Sequence, residues 1–412
     1  MARLSDELVH RASADTLSRR AFLARMAIGA GAGALACLGD PPAPVLPEQS
    51  GLEHVVVVMM ENRSFDHFLG WLPGADGKQA GLLYRDLAGI AHETHRLTPD
   101  LQGCGFADPD HEFGGGRVEY NAGACDGWLR AGANDVYAIG YYTAEDLPFF
   151  APAALEWTVL DRYFAPIMGP TGPNRFIMHA GLTDRIGPEP GSFPNYPTIW
   201  DRLADKGLTG RNYVGPYYFA KNFGDRYPWL AQPIETFAGD AAAGNLPHVA
   251  FVEPDAFNND HPHGDIRDGE AFLASVYRAV TTSPAWRSTL FIITFYEWGG
   301  FFDHVPPPPA PIPAVERAAG NLDGLRGFRV PCLLISPFAR RHYISSTVYD
   351  HASILRLIEW RWGLAPLSVR DANANNMADE LDFRSLRTSA PVLDVPAGRF
   401  GINCDFPGGP AS

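Results

Sequence analysis

The sequence predicts an α/β protein of three layers, with a largely parallel central sheet between two layers of helices. Three observations support this prediction. Short apolar runs rich in β-branched residues recur along the chain, segments with helical periodicity lie between them, and polar residues cluster directly after several of the apolar runs. Strands that alternate with helices favour a parallel sheet covered on both faces. Ligands of such folds bind at the carboxyl ends of the strands.

The predicted strands are continuous apolar runs, which are typical of strands buried on both faces. They lie at 55–58, 246–255, 289–295 and 330–336. Two helices are predicted at 268–280 and 351–363, because apolar residues there repeat on one face.

The chain has 412 residues, 46% of them hydrophobic, which is enough for one large domain over residues 51–412. The formal charge of −14 argues against nucleic-acid binding as the main task, because such binding needs a basic surface. From about residue 368 onward the sequence contains no motif that indicates a function.

The N-terminus is predicted to be a twin-arginine export signal over residues 1–36. Arg19 and Arg20 precede a mildly apolar run that ends near Ala36. Cys37 follows directly, so a lipid anchor there is an alternative, although Ala34 fits an anchor motif poorly. We expect a linker over 37–50, a partner in the twin-arginine translocase, and a periplasmic or secreted mature protein without a membrane span.

Four cysteines remain after Cys37, at positions 104, 125, 332 and 404. A bond between Cys104 and Cys125 would close a short loop in an oxidising compartment. The alternative is that these cysteines are free and buried, as unpaired cysteines often are.

The stretch "VVVVMMENRSFDHF" (55–68) passes from a buried strand directly into polar residues. Ser64 can cap a helix that begins near Phe65. Glu61 and Asn62 then lie at the carboxyl end of a strand, where a ligand would bind. The alternative is an ordinary solvated turn.

Carboxylates and imidazoles form four clusters, three of them just after predicted strands. Oxygen and nitrogen ligands together suit a divalent metal ion, which can activate a hydroxyl and polarise a phosphoryl oxygen. The clusters contain Asp108, Asp110 and His111; Glu253, Asp255, Asp260, His261, His263 and Asp265; Glu297, Asp303 and His304; and Asp350 with His351.

Seven motifs resemble, in order, the bacterial phosphoesterase family of non-haemolytic-type phospholipases C and related acid phosphatases. The resemblance runs from about Gly51 to about Leu367 and implies an alkaline-phosphatase-like fold. The motifs are "ENRSFDHFLG", "DPDH", "GYYTAEDLPFF", "DRYFAPIMGPTGPNR", "NDHPHGDIRDGEAF", "YEWGGFFDHVPPP" and "VYDHASILRLIEWRWG".

The resemblance assigns roles to individual residues. It implies that Thr171, in a Gly/Pro-rich turn, is the nucleophile, because metal coordination can activate a hydroxyl. The implied metal ligands are Glu61, Asn62, Thr171 and Glu297. Oxygen ligands suit Ca, Mg or Mn, whereas histidine ligands would suit Zn or Fe.

The same resemblance implies groups that contact phosphate or protonate the leaving group. His261, His304 and His351 are the implied catalytic imidazoles, and Asn174, His111 and Asp265 are the implied phosphate-binding residues. Asp265 and Asp303 are further expected to orient the histidine rings.

One position departs from the family pattern, because Tyr296 stands where the family has an aspartate that ligates the metal. The site then either works with Glu61, Asn62, Thr171, Glu297 and water, or it binds metal more weakly. A Tyr296 phenolate could replace the missing ligand only if its pKa fell far below about 10.

The sequence thus predicts a metal-dependent hydrolase of phosphate mono- or diesters, whose substrate is a phospholipid or a soluble ester. Two alternatives stay open: a sulfatase-like or phosphonate hydrolase on the same scaffold, and a catalytically silent binding protein. A set of aromatic residues either lines a pocket for a choline group or belongs to the core. These are Trp71, Phe113, Tyr141, Phe149 and Trp298.

Overall fold

A computed structural model describes residues 45–188, 193–215, 219–402 and 404. The predicted signal peptide, Cys37 and most of the predicted linker lie outside these residues. The described residues from Leu46 onward form one compact unit. Within them, no helix combines the length and the apolar character that a bilayer crossing requires.

An eight-stranded mixed sheet forms the centre of this unit, with the strand order β12-β6-β11-β10-β1-β9-β7-β8. Each of the four predicted strand regions contributes one strand, so the α/β prediction is confirmed. The strands of the unit are β1 (His54–Met60), β2 (Leu83–Arg85), β3 (Ala91–Glu93), β4 (His95–Arg96), β5 (Gly140–Tyr141), β6 (Thr158–Leu160), β7 (Gly210–Val214), β8 (Ala231–Pro233), β9 (Val249–Val252), β10 (Thr289–Phe295), β11 (Cys332–Ile335) and β12 (Tyr343–Ser345).

Parallel pairing dominates the sheet. β1 lies between β9 and β10 and is parallel to both, with Val57 opposite Phe251 on one side and Ile292 on the other. β11 runs antiparallel to β10 and to β6, so the sheet is mixed at this point. β1 and β10 are buried along almost their whole length, which explains their continuous apolar sequences.

Helices flank the sheet, and two of them match the predicted helices closely. Ser64 caps α1 as expected, because its hydroxyl accepts a hydrogen bond from the His67 N–H at 3.2 Å. The helices are α1 (Phe65–Leu69), α2 (Phe113–Tyr120), α3 (Phe150–Glu156), α4 (Thr171–Ala180), α5 (Ile199–Asp205), α6 (Phe237–Ala242), α7 (Ile266–Thr281), α8 (Ala314–Ala318), α9 (His351–Trp362) and α10 (Val369–Asn373).

The register of the central strands brings the predicted site residues together. Met60 and Phe295 are paired at the ends of β1 and β10, so Glu61 and Glu297 follow at the same edge of the sheet. The Glu61 N–H also donates to the Asn259 carbonyl, 2.7 Å away in the loop after β9. Three strand ends therefore meet at one place.

The turn after β10 packs closely against the turn after β1. Gly299 has a φ of +66°, and a Cβ there would lie 2.3 Å from the Asn62 carbonyl oxygen. Only glycine fits this position without displacing Asn62, since φ is positive and the backbones touch.

Of the two alternatives for the cysteines, a bond between Cys104 and Cys125 is wrong, and free buried thiols are found for Cys125 and Cys332. Cys104 pairs with Cys404, with their Cα atoms 5.2 Å apart, and so joins two positions separated by 300 residues. Cys125 is a free cysteine buried in the core, as is Cys332. The tail returns to the loop that contains Cys104, which the short spacing to Cys125 did not indicate.

Candidate active site

Thr171 and Glu61 form the centre of the site. Thr171 is the first residue of α4, directly after the Gly169-Pro170 turn. Its hydroxyl Oγ1 donates a hydrogen bond to Glu61 Oε2 at 2.7 Å. The half-buried hydroxyl is thus oriented by a carboxylate at the end of β1.

Two buried acceptor oxygens beside this pair have no hydrogen-bond partner among the described residues. They are Asn62 Oδ1 and Glu297 Oε1, both on fully buried side chains. The second oxygen of Glu297 accepts from the Gly299 N–H. Unpaired buried acceptors are costly, and a bound cation would satisfy them. The oxygen donors Glu61, Asn62, Thr171 and Glu297 therefore fit a hard divalent ion such as calcium, magnesium or manganese.

The charges of the site are strongly coupled. Burial raises the pKa of Glu297 to about 8, and burial also raises the pKa of Glu61 although Arg175 opposes it. Burial alone would lower the pKa of His111, but the Glu297 and Asp108 carboxylates raise it to about 9. Buried carboxyl groups of this kind either hold a proton or lie beside a cation, and a bound divalent ion would favour their ionised forms.

His111 and His261 face each other at the mouth of the site, with ring centroids 6.0 Å apart. Each Nδ1 lies near a backbone carbonyl, at 2.7 Å for His111 and 3.1 Å for His261. One ring nitrogen of each histidine and an Asp108 oxygen lie within 4.8 Å of one another, and His261 Nε2 is 3.9 Å from Asp108 Oδ2. Asn62 Nδ2 is 3.3 Å from His111 Nε2, which connects this group to the candidate metal ligands. The structure therefore assembles six of the predicted site residues: Thr171, Glu61, Asn62, Glu297, His111 and His261.

His304 lies in a separate ionic network. Its Nδ1 is 2.5 Å from Asp66 Oδ2 and its Nε2 is 3.2 Å from Asp76 Oδ1. The buried guanidinium of Arg329 pairs with Asp66 at 3.0 Å and with Asp303 at 2.9 Å. Both ring nitrogens of His304 are engaged, so the predicted role as a catalytic acid is not supported. Asp303 pairs with Arg329, so its expected role in orienting a histidine is not supported either.

His351 is also engaged on both sides of its ring. Nε2 donates to the Tyr296 carbonyl at 2.9 Å, and the Tyr163 hydroxyl donates to Nδ1 at 2.9 Å. The ring is fully buried, and burial lowers its pKa to about 4. A neutral ring with two protein partners does not contact substrate. Instead, His351 holds the backbone that leads into Glu297.

Asn174 and Asp265 have local structural roles rather than the predicted contacts with phosphate. The fully buried Asn174 side chain accepts from the Ile167 N–H and donates to the Gly169 carbonyl at 2.8 Å, so it fixes the turn before Thr171. Asp265 caps α7 and forms two hydrogen bonds with the Arg267 guanidinium at 2.9 and 2.6 Å. Asparagine and aspartate often form such local hydrogen bonds with the backbone. The sequence alone did not distinguish this structural role from a contact with phosphate.

Tyr296 contacts Glu253 and Arg175, and none of its hydrogen bonds in the described residues is to a candidate metal ligand. Its hydroxyl donates to Glu253 Oε2 at 3.2 Å, and the Arg175 guanidinium lies over its ring, 4.3 Å from the centroid. Burial raises the pKa of Tyr296 well above its usual value, which disfavours a phenolate at this position.

Arg175 and Glu253 lie beside Glu61, and no role was predicted for either. Arg175 pairs with Glu253, and its Nη1 lies 4.0 Å from Glu61 Oε1. Arg175 stands in one of the seven motifs and Glu253 in one of the carboxylate clusters, but only the fold shows that they meet. Among the aromatic residues considered for a choline pocket, Phe149 and Trp298 are fully buried core residues.

Comparison with known proteins identifies relatives over most of the chain. A model of the Phosphoesterase family matches residues 52–365. The chain is 30% identical to Phospholipase C A of Mycobacterium tuberculosis, over 92% of this chain and 88% of that protein. It is 30% identical to Non-specific phospholipase C6 of Arabidopsis thaliana, over 84% and 75%. It is 28% identical to Non-hemolytic phospholipase C of Pseudomonas aeruginosa, over 84% and 59%.

Solved structures show more distant likenesses. A protein in the alkaline phosphatase superfamily from Vibrio parahaemolyticus matches with a TM-score of 0.41 and 11% identity, covering 80% of this chain and 72% of that one. The phosphonate monoester hydrolase of Agrobacterium radiobacter matches with a TM-score of 0.36 and 10% identity, covering 76% and 74%.

Proposed function

The chain belongs to the Phosphoesterase family and is a phosphoric ester hydrolase, and from this premise we propose that it cleaves phospholipid-type phosphate esters with Thr171 as the nucleophile and a divalent metal ion as cofactor. The observation that supports this proposal most directly is the hydrogen bond of 2.7 Å from Thr171 Oγ1 to Glu61 Oε2. It places an oriented hydroxyl beside unpaired acceptor oxygens that suit a cation.

The reaction has two displacements at phosphorus. In the first, Thr171 Oγ1 bonds to phosphorus while the bond to the alcohol oxygen breaks, and the alcohol leaves with a proton. In the second, a water oxygen bonds to phosphorus and the phosphothreonine bond breaks, which regenerates the hydroxyl. A divalent ion held by Glu61, Asn62, Thr171 and Glu297 would make the hydroxyl more acidic and polarise a phosphoryl oxygen.

His111 and His261 suit the remaining roles, because their rings pack together, 6.0 Å between centroids, and His111 contacts Asn62. A protonated imidazole donates to a phosphate oxygen or to a departing alkoxide. We assign proton transfer to His261, whose side chain is 39% exposed and so reaches an incoming ester. His111 contacts Asn62 and is better placed to hold the phosphate.

The substrate class is tested with purified protein whose metal content has been measured. We expect cleavage of p-nitrophenyl phosphorylcholine and of phosphatidylcholine, with slower cleavage of p-nitrophenyl phosphate and of p-nitrophenyl sulfate. Chelation should reduce turnover by about a hundredfold or more, and calcium, magnesium or manganese should restore it, since metal activation of the hydroxyl would be lost and regained. Undiminished turnover in a chelated, metal-free sample would contradict the metal requirement. A preference for the sulfate would favour a sulfatase-like hydrolase.

Export is a further part of the proposal. The pair Arg19 and Arg20 precedes the apolar segment of a twin-arginine signal. Replacing both with lysine should leave the protein in the cytoplasm, because the translocase reads the two guanidinium groups. Cell fractionation measures this, with the unchanged signal as control. Normal export of the lysine variant, or export from a strain without the translocase, would refute this route.

A further inference from the structure

A cavity of about 570 Å³ adjoins the candidate active site. Its wall includes His261 and Asn259, and the Asn259 carbonyl accepts the hydrogen bond from the Glu61 N–H. The cavity therefore begins where the loop after β9 meets the end of β1. Pockets of about 300–1,000 Å³ hold organic ligands of moderate size.

The far wall of this cavity is the C-terminal strap, which we define as residues 397–402 and 404. The Asp268 carboxylate accepts from the Phe400 N–H at 2.8 Å and from the Gly401 N–H at 3.0 Å. Gln102 exchanges hydrogen bonds with the backbone of Ile402, and the disulfide between Cys104 and Cys404 closes the end of the strap. The strap is thus fastened to the loop around Gln102 and to α7.

Three polar side chains of the wall already have partners within the protein, and a fourth, Arg399, lies over the Phe257 ring, 3.8 Å from its centroid. Asp265 binds Arg267, Asp268 binds the strap, and Gln102 binds Ile402 and the His263 carbonyl. An incoming molecule therefore finds few free polar partners on these side chains.

Apolar side chains remain for a ligand to contact. Ile402 is 73% exposed and Phe257 is 51% exposed, and both line the cavity together with Pro262. Covering such surface with an apolar group is favourable by about 25 cal/mol for each Å² removed from water. Two large exposed apolar residues on one cavity beside His261 indicate an apolar ligand.

We propose that this cavity receives the apolar alcohol portion of the phosphate ester, and that the C-terminal strap is the specificity-determining wall. The inference rests on the proposed function, since it takes His261 as the group beside the leaving alcohol. A diacylglycerol matches the chemistry of the wall, because its chains are apolar and the oxygen of its single hydroxyl is the atom that must lie next to His261.

The test compares two esters that share the phosphorylcholine group and differ in the alcohol: p-nitrophenyl phosphorylcholine and dihexanoyl phosphatidylcholine below its micelle concentration. We expect Ile402→Ser and Phe257→Ala to lower kcat/KM for the lipid relative to the aryl ester by about tenfold, through KM, because each loses apolar contact with the acyl chains. Leu322→Ser is the matched control, since Leu322 is 72% exposed but does not line the cavity; its substrate ratio should equal that of the wild type.

Binding without turnover separates this inference from the proposed function. Calorimetric titration of Thr171→Ala protein with dihexanoyl phosphatidylcholine should show binding that Ile402→Ser weakens by about tenfold, as expected from the same lost contacts. Equal binding with and without Ile402→Ser, or an unchanged substrate ratio in both cavity variants, would overturn the inference. Lipid binding by a wild-type protein that cleaves neither ester would leave the cavity assignment standing and refute the proposed function.

Removing the disulfide is a second way to test whether the C-terminal strap positions the wall of the cavity. The Cys104→Ser/Cys404→Ser protein should show the same relative loss for the lipid as Ile402→Ser, because the end of the strap is no longer fastened. A double variant that discriminates between the two esters as the wild type does would show that the disulfide does not position this wall.

Discussion

Thr171→Ala will lower turnover by about a thousandfold or more, because the proposed nucleophile is absent and no neighbouring side chain replaces it. The thermal midpoint should remain near that of the wild type. The Thr171 side chain is only half buried, and its hydroxyl makes one hydrogen bond, to Glu61. Steady-state kinetics on p-nitrophenyl phosphorylcholine measures the loss.

Thr171→Ser is the matched control, since it keeps the hydroxyl and removes one methyl group. It should retain part of the activity, and acid quenching during turnover should trap a phosphorylated residue at position 171 in wild type and in the serine variant. Wild-type turnover by Thr171→Ala, or a phosphoryl group trapped at another residue, would rule out Thr171 as the nucleophile.

Tyr296→Asp will lower the free energy of unfolding by about 3 kcal/mol or more, because a large buried aromatic ring is replaced by a small side chain. The ring lies under the Arg175 guanidinium and is fully buried. The new carboxylate would stand near Glu253 and Glu61, whose negative charges oppose another buried acid. Metal affinity should not increase, because the Tyr296 side chain contacts Glu253 and Arg175 rather than the candidate ligands.

Tyr296→Phe separates the contribution of the hydroxyl from that of the ring to the free energy of unfolding. It keeps the ring and its contact with Arg175 but removes the hydrogen bond to Glu253, so it should cost only about 1 kcal/mol. Chemical denaturation and metal titration of the three proteins measure both quantities. Tighter metal binding and higher turnover by Tyr296→Asp at limiting metal would show instead that a ligand is missing at this position.

Local sequence predicted the elements of the fold better than their arrangement. The run from Thr289 to Phe295 forms a strand over the same residues, because its composition suits a strand buried on both faces. Ser64 caps a helix because this interaction is local. By contrast, nothing in the sequence of Cys332–Ile335 indicates that this strand runs antiparallel to its neighbours, since direction is decided by connections far along the chain.

The candidate site also contains residues whose predicted roles fit the structure and residues whose predicted roles do not. Thr171 and Glu61 were inferred from a family resemblance, and the structure brings them within hydrogen-bond distance. His351 and His304 belong to motifs of the same resemblance, but their rings bind Tyr163 and Asp66. The sequence does not distinguish a histidine that holds a backbone segment from one that transfers a proton, because the residue type is the same. Only their tertiary partners distinguish them.

The disulfide of the C-terminal strap has a consequence for the order of folding and oxidation. In an unfolded chain its two cysteines are 300 residues apart, and other cysteines compete as partners, among them Cys125 and Cys332. In the folded chain these two are buried, and burial raises the pKa of Cys125 to about 12 and that of Cys332 well above its usual value. Since the thiolate is the reactive form, neither exchanges readily. A chain that folds first and is oxidised afterwards therefore avoids mispairing with Cys125 or Cys332, which would suit the proposed export of an already folded chain.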